Sequence, residues 1–206
     1  MKKKLLAVGI SALLLASCAG NPEGKRSDSS EATEVATTEG KSELAVDTAA
    51  SEVRWEGTKV TGSHHGTVKI KSGNLYFEDS TLVGGNFVLD LNTIANTDLD
   101  GESKQKLEGH LKSEDFFDVA KFPEATFEIS KVSKEGSTLK ISGNLTIRGV
   151  SKNITIDAEQ IASTGEHFEA TTDFNIVRGD WGVNYEGKQD DLISKEINFK
   201  IKIIAH

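Results

Sequence analysis

The chain has 206 residues, 36 % of them apolar and 27 % charged, with 19 Gly and 2 Pro. That is enough for one sizeable core, and it excludes a wholly disordered chain or a polytopic membrane protein. The balance of 24 Lys and Arg against 32 Asp and Glu gives a net charge of −8 with no basic stripe, which argues against nucleic acid and against docking on anionic lipid by charge. A single Cys excludes an internal disulfide framework and any Cys-rich metal site.

Residues 1–18 read MKKKLLAVGISALLLASC. Three lysines precede an apolar run from Leu5 to Leu15, too short to span a bilayer comfortably. The run ends Leu15-Ala16-Ser17-Cys18, which resembles a bacterial lipobox. The resemblance implies a signal peptide over 1–17, cleavage before Cys18, and acylation of Cys18. Several acyl chains on one residue give stable anchoring where one would not. Ala19 stands where an Asp would retain a lipoprotein in the inner membrane of enteric bacteria, so the expectation is an outer-membrane location, on the periplasmic face or at the cell surface. Residues 19–43 are rich in Ser, Thr, Glu and Gly, with no aromatic residue, and read as a flexible tether between Cys18 and a domain spanning 44–206.

From Leu44 onward the apolar period is two, as expected of half-buried strands. Val53 and Trp55 begin the series, followed by Val68 and Ile70, then Phe87, Leu89 and Leu91. Phe127 and Ile129, Leu139 to Ile147, Ile154 to Ala158, Phe168 to Ile176, and Ile197 to Ile203 continue it. Turns are expected at Ser72-Gly73-Asn74, Gly84-Gly85, Lys134-Glu135-Gly136, Arg148-Gly149 and Ser163-Thr164-Gly165. Residues 102–118, with Leu107 and Leu111 at helical spacing, and the Gly- and Asp-rich 178–191 are expected to be short helices or excursions. The pattern predicts an all-β antiparallel barrel or sandwich.

Four segments in order resemble the YceI-like domain: His65-Gly66 after Trp55, residues 110–127 (HLKSEDFFDVAKFPEATF), Gly143-Asn144-Leu145-Thr146-Ile147-Arg148-Gly149-Val150, and the run from Phe174 to Val183. The resemblance covers roughly residues 44–204. It implies a lipocalin-like antiparallel barrel of about eight strands, without enzymatic activity, that binds a polyisoprenoid or a similar long apolar molecule such as a quinone or fatty-acyl compound. The chain departs from it at Trp181, where the family often carries Phe. If the interior holds such a ligand, the expected lining is Trp55, Val68, Phe87, Leu89, Phe116, Phe127, Ile141, Leu145, Phe174, Trp181 and Phe199. Any barrel core needs inward apolar residues, so a structural or adhesion lipoprotein with a filled barrel stays open beside the binding module, as does a homodimer.

Other chemistry has weak signals. His64, His65 and His110, with Asp115 or Asp118, are the candidate metal ligands, but neighbours on one strand face opposite ways and no HExxH spacing occurs, so no metal or cofactor is expected. There is no GxSxG motif, and the pairs Asp98/Asp100 and Asp190/Asp191 lie in turn-like stretches. Phe116-Phe117 suits either a cover over the barrel mouth or a plug. Arg148 and Arg178 are expected to brace loops, Arg178 through Asp180 or Asp118, with contact to a polar ligand head group as the alternative.

Overall fold

The computed structural model describes residues 20–206; the expected signal peptide and the expected lipobox ending at Cys18 lie outside them. Three short strands come first: β1 (Lys25–Arg26), β2 (Ser29–Glu31) and β3 (Ser42–Ala45). The long strands follow: β4 (Glu52–Lys59), β5 (Gly62–Glu78), β6 (Thr81–Asn96), β7 (Glu124–Glu135), β8 (Thr138–Ile147), β9 (Val150–Ser163) and β10 (Phe168–Val177). After the two-residue β11 (Gly187–Lys188) comes β12 (Asp191–Ala205). Helix α1 (Gly101–Lys112) joins β6 to β7, and a 3-10 turn occupies Arg178–Trp181. Both excursions fall where the sequence places them.

The eight long strands pair in the order β10-β12-β4-β5-β6-β7-β8-β9, and β9 pairs back with β10, so the antiparallel sheet closes into a barrel. The closing seam is partial. Residues 158–163 of β9 pair with 168–172 of β10, and beyond them the two strands diverge. The upper end of the barrel carries the β4–β5 turn, α1 and its following loop, the Arg148-Gly149 turn, and the segment 178–190. Arg148 and Gly149 both take positive φ, as a two-residue hairpin turn requires.

Three turn expectations hold: Gly136, Arg148-Gly149 and Thr164-Gly165 join consecutive strands. Two fail. Ser72-Gly73-Asn74 and Gly84-Gly85 lie inside β5 and β6, beside register shifts at Ile70/Ser72 and Tyr76/Phe77. A Cβ on Gly73 would sit 2.9 Å from the Asn86 carbonyl oxygen, and one on Gly85 would sit 2.8 Å from Leu75 Cδ2. These glycines serve close strand approach and bulging, a use that shares its residue type with turns. The true β5–β6 turn is Asp79-Ser80, both at positive φ.

The larger correction concerns residues 19–43. The described part is no free tether: residues 20–46 wrap the barrel as a belt. Thr58 Oγ1 on β4 donates to the Gly20 carbonyl. β1 then pairs in parallel with β10, and β2 pairs with β9. Between them Ser27 spans the diverging seam: its N–H donates to Asn175 O at 2.8 Å and its Oγ to Thr155 O at 2.7 Å. Further on, Thr33 meets β8, Ala36 N–H donates to Ile129 O on β7, and β3 pairs with β5.

Asparagines on the outward faces hold the belt. Asn144 gives Thr33 both halves of a peptide-like pair, its Oδ1 accepting from Thr33 N–H at 3.0 Å and its Nδ2 donating to Thr33 O at 2.6 Å. Asn175 Nδ2 donates to Pro22 O and to Glu196 Oε2. Gly24 crosses here at φ +140, where a Cβ would collide with the Asn175 and Asn198 amides. Covered in this way, Asn144, Asn153, Asn175 and Asn198 are all buried. A polar belt with polar receptors leaves no hydrophobic period, which is why the segment reads as a linker.

Candidate ligand-binding cavity

Alternation along the long strands turns one apolar face inward. Odd residues of β4, β8 and β12 face the axis, as do even residues of β9 and β10. The inward side chains do not meet in the middle. They enclose a cavity of about 240 Å³, lined by forty residues of which nearly all the facing atoms are apolar. Close-packed interiors carry few voids larger than one water, so this space is far beyond a packing defect.

Ten of the eleven expected lining residues border the cavity: Trp55, Val68, Phe87, Leu89, Phe116, Phe127, Ile141, Leu145, Phe174 and Phe199. Phe87 and Phe127 face each other across β6 and β7 at 6.5 Å between ring centroids, and Phe174 and Phe199 across β10 and β12 at 5.8 Å. Trp181 does not reach the cavity. It is 1 % exposed, and its Nε1–H donates to Leu145 O at 2.9 Å, so it seals the wall from behind. The indole needs a buried acceptor, and the carbonyl of Leu145 supplies it.

The lower end is packed shut by Phe77 and Phe168, whose ring centroids lie 5.6 Å apart, with Leu82 and Ala170. At the upper end α1 contributes Leu107 and Leu111, and the loop after it contributes Phe116 and Phe117. Both phenylalanines therefore belong to the cover. Phe116 packs against His110 and Tyr185, and Arg148 Nη1 donates to the carbonyls of Glu114 and Phe116. Arg148 thus braces the cover from outside the cavity.

Sequence reasoning missed Lys59 and Glu196 among the charged residues of the lining. Lys59, His64, Arg178 and Glu196 border the cavity towards its upper end. Arg178 is 4 % exposed and meets neither Asp180 nor Asp118. Its Nε donates to Ser194 O at 2.8 Å and its Nη1 to Val183 O at 2.7 Å, so it ties the 3-10 turn to β12 through carbonyls. Burial pulls its pKa below the usual arginine value, and the charge of Glu186 opposes that. The expected acidic partners are engaged elsewhere: Asp180 accepts from Ser29 of the belt, and Asp118 pairs with Lys121. Only the strand alternation was available to the sequence reading, and carbonyl acceptors leave no trace in it.

The histidines are dispersed. His64 Nδ1 lies 2.7 Å from Asp98 Oδ2, His65 Nδ1 lies 2.9 Å from Thr97 Oγ1 just past the end of the neighbouring β6, and His110 Nε2 lies 3.1 Å from Asp115. Burial works against ionised Asp98, but hydrogen bonds from His64, from the His65 N–H and from Asn96 outweigh it and hold its pKa below the usual carboxylate value. Among the described residues no three His, Cys, Asp or Glu side chains converge as metal ligands.

Comparison with known proteins fits this architecture. The crystal structure of BcnA from Burkholderia cenocepacia superposes with a TM-score of 0.62 at 18 % identity, covering 78 % of this chain and 99 % of that one. A polyisoprenoid binding domain from Saccharophagus degradans, implicated in plant cell wall breakdown, superposes with a TM-score of 0.59 at 14 % identity, covering 84 % and 99 %. These likenesses show the fold. Protein YceI of Salmonella arizonae and that of Salmonella newport are each 37 % identical over 95 residues, covering 46 % of this chain and 48 % of theirs. The chain thus spans about half the length of the relatives it matches. Residues 44–205 match the YceI-like domain, and the chain belongs to that family.

Proposed function

We propose that the protein is a lipid-anchored extracytoplasmic carrier that binds one long apolar molecule, a polyisoprenoid or a compound of similar shape, inside the barrel without chemical conversion. The observation that carries this reading is the apolar cavity of about 240 Å³, whose charged lining residues all lie towards one end. Such a space suits an amphiphile whose hydrocarbon lies among Phe87, Phe127 and Leu145 while its polar end stays near Lys59, His64 and Arg178. Each five-carbon isoprene unit buried contributes at most about 3–4 kcal/mol, so a chain of several units binds without directional chemistry. The polyisoprenoid binding domain of the Saccharophagus degradans protein supports that ligand class.

The anchor in this reading is Cys18 in Leu15-Ala16-Ser17-Cys18, with an outer-membrane destination. Cys18→Ser should move the protein from the detergent-soluble membrane fraction to the soluble extracytoplasmic fraction. A mutant that stays in the membrane contradicts the anchor.

Organic extraction of the purified chain followed by mass spectrometry tests the ligand. A long-chain apolar compound is expected from the wild type and should be lost from Leu145→Gln. That variant should remain folded, because its amide meets open space rather than packed neighbours. An extract free of such compounds, from a protein that takes none up when they are added, would leave a structural lipoprotein with an empty barrel.

A further inference from the structure

The belt uses up the slack between the anchor and the barrel. Its first described residue, Gly20, is fixed to Thr58 at the upper end of β4. Only Ala19 separates Gly20 from Cys18, and two residue steps reach about 7 Å at most. Acyl chains on Cys18 would therefore enter the bilayer beside the barrel mouth, which removes the freedom that a flexible linker of some 25 residues would have given.

The surface at that point fits a membrane. Four large apolar side chains are exposed among the described residues, and two of them, Val60 and Leu192, are neighbours at this end. Val60 N–H donates to Leu192 O at 3.1 Å, which joins the β4–β5 turn to the start of β12 as one apolar knuckle. Beside it, Lys59 pairs with Asp191 at 2.6 Å, which offsets both of those charges at the knuckle. Beneath it lie Lys59, His64 and Ile193 of the cavity lining.

We propose that the barrel stands on the bilayer by its upper end, with Val60 and Leu192 in the headgroup layer and the mouth facing the lipid. An apolar ligand then passes between bilayer and cavity without crossing water. This rests on the anchor at Cys18 and adds the face that meets the membrane.

The test uses the full acylated chain in vesicles of phosphatidylethanolamine and phosphatidylglycerol. Acylation consumes the native cysteine, so Leu192→Cys or Ser137→Cys supplies a single thiol for a nitrobenzoxadiazole label, the first at the knuckle and the second at the opposite end. With nitroxide on the lipid headgroups, the label at 192 should be quenched several-fold more strongly than the label at 137, with little dependence on salt. Equal quenching, or stronger quenching at 137, on a chain whose intact mass shows acylation overturns the orientation alone. An intact mass without acyl groups overturns the anchor and the orientation with it. A long Gly-Ser insertion between Ala19 and Gly20 should bring the two labels together; a difference that survives it would overturn the short link as the cause.

Discussion

Phe174 and Asn175 are neighbours on β10, yet one borders the cavity and the other is sealed under Pro22 of the belt. The same division runs round the barrel, with Leu145 inside and Asn144 outside on β8, and Phe199 inside and Asn198 outside on β12. The inner surface is held by burial of apolar area, which is non-directional and tolerates an unfilled centre. The outer contact is directional: Asn144 gives Thr33 both a donor and an acceptor, and Asn175 donates to Pro22 O, in place of bonds that the belt backbone would otherwise take from water. Ordering the belt costs conformational entropy, and most of its residues stay exposed, so it gains little from apolar burial in return. The barrel wall should therefore be the stable unit and the belt its first part to open.

Substitutions separate the two surfaces. The largest effect is expected from Leu139→Ala, since Leu139 is 2 % exposed and packed away from the cavity. It should cost about 2–5 kcal/mol in urea unfolding, whereas Leu145→Ala, bordering space already open, should cost clearly less. Equal costs would mean that the cavity is filled in solution.

Asn144→Leu comes next. It removes both bonds to Thr33 and the acceptor of Asn153 Nδ2, at a cost of about 1–3 kcal/mol. Hydrogen exchange should rise across residues 25–36 while β8 and β9 stay protected. Uniform acceleration would show that belt and wall open together.

Acid should act on the belt in a definite direction. A hydrogen bond from Lys25 is the largest cause holding the Asp157 pKa down, against burial, and one from Lys152 holds Glu31 down. A carboxylate whose folded pKa is depressed contributes stability that is complete above its unfolded value, near pH 4, and is lost as pH falls through the lower folded value. Belt protection, corrected for intrinsic exchange rates, should thus fall below about pH 4, and Lys25→Ala should remove the Asp157 share. A belt equally protected at neutral and acid pH would show that these pairs do not hold it.

The smallest effect is expected from Lys41→Ala, which breaks the surface pair with Glu78. Such pairs contribute about 1 kcal/mol or less. A larger loss would mean that charge, not asparagine, fastens the belt.

These two surfaces also differ in what the sequence reveals. The inward face is legible because a period of two in Phe87, Leu89, Phe174 and Phe199 has one structural meaning. The barrel and ten of its lining residues follow from that period together with the family resemblance. Trp181 lies on no strand, so alternation could not say whether it faced the cavity or backed the wall. Gly73 and Gly85 mislead because bulges and turns recruit the same residue. The belt is hidden because Asn144 and Asn175 look like any solvated strand position until the chain that covers them is in place. Arg178 was singled out, but its partners are carbonyls, which every residue carries.

The central claim, that the barrel is a hollow receptor for a long apolar molecule, can be tested at Trp55. The chain has two tryptophans. Trp55 borders the cavity and Trp181 does not, so Trp181→Phe leaves a single reporter in the wall. Delipidated protein titrated with a long-chain polyprenol in mild detergent should show a saturable blue shift of Trp55 emission at one ligand per chain. Its melting temperature should rise with ligand concentration, as binding to the folded state alone requires. Emission and melting temperature unchanged up to the solubility limit of the polyprenol would contradict the account.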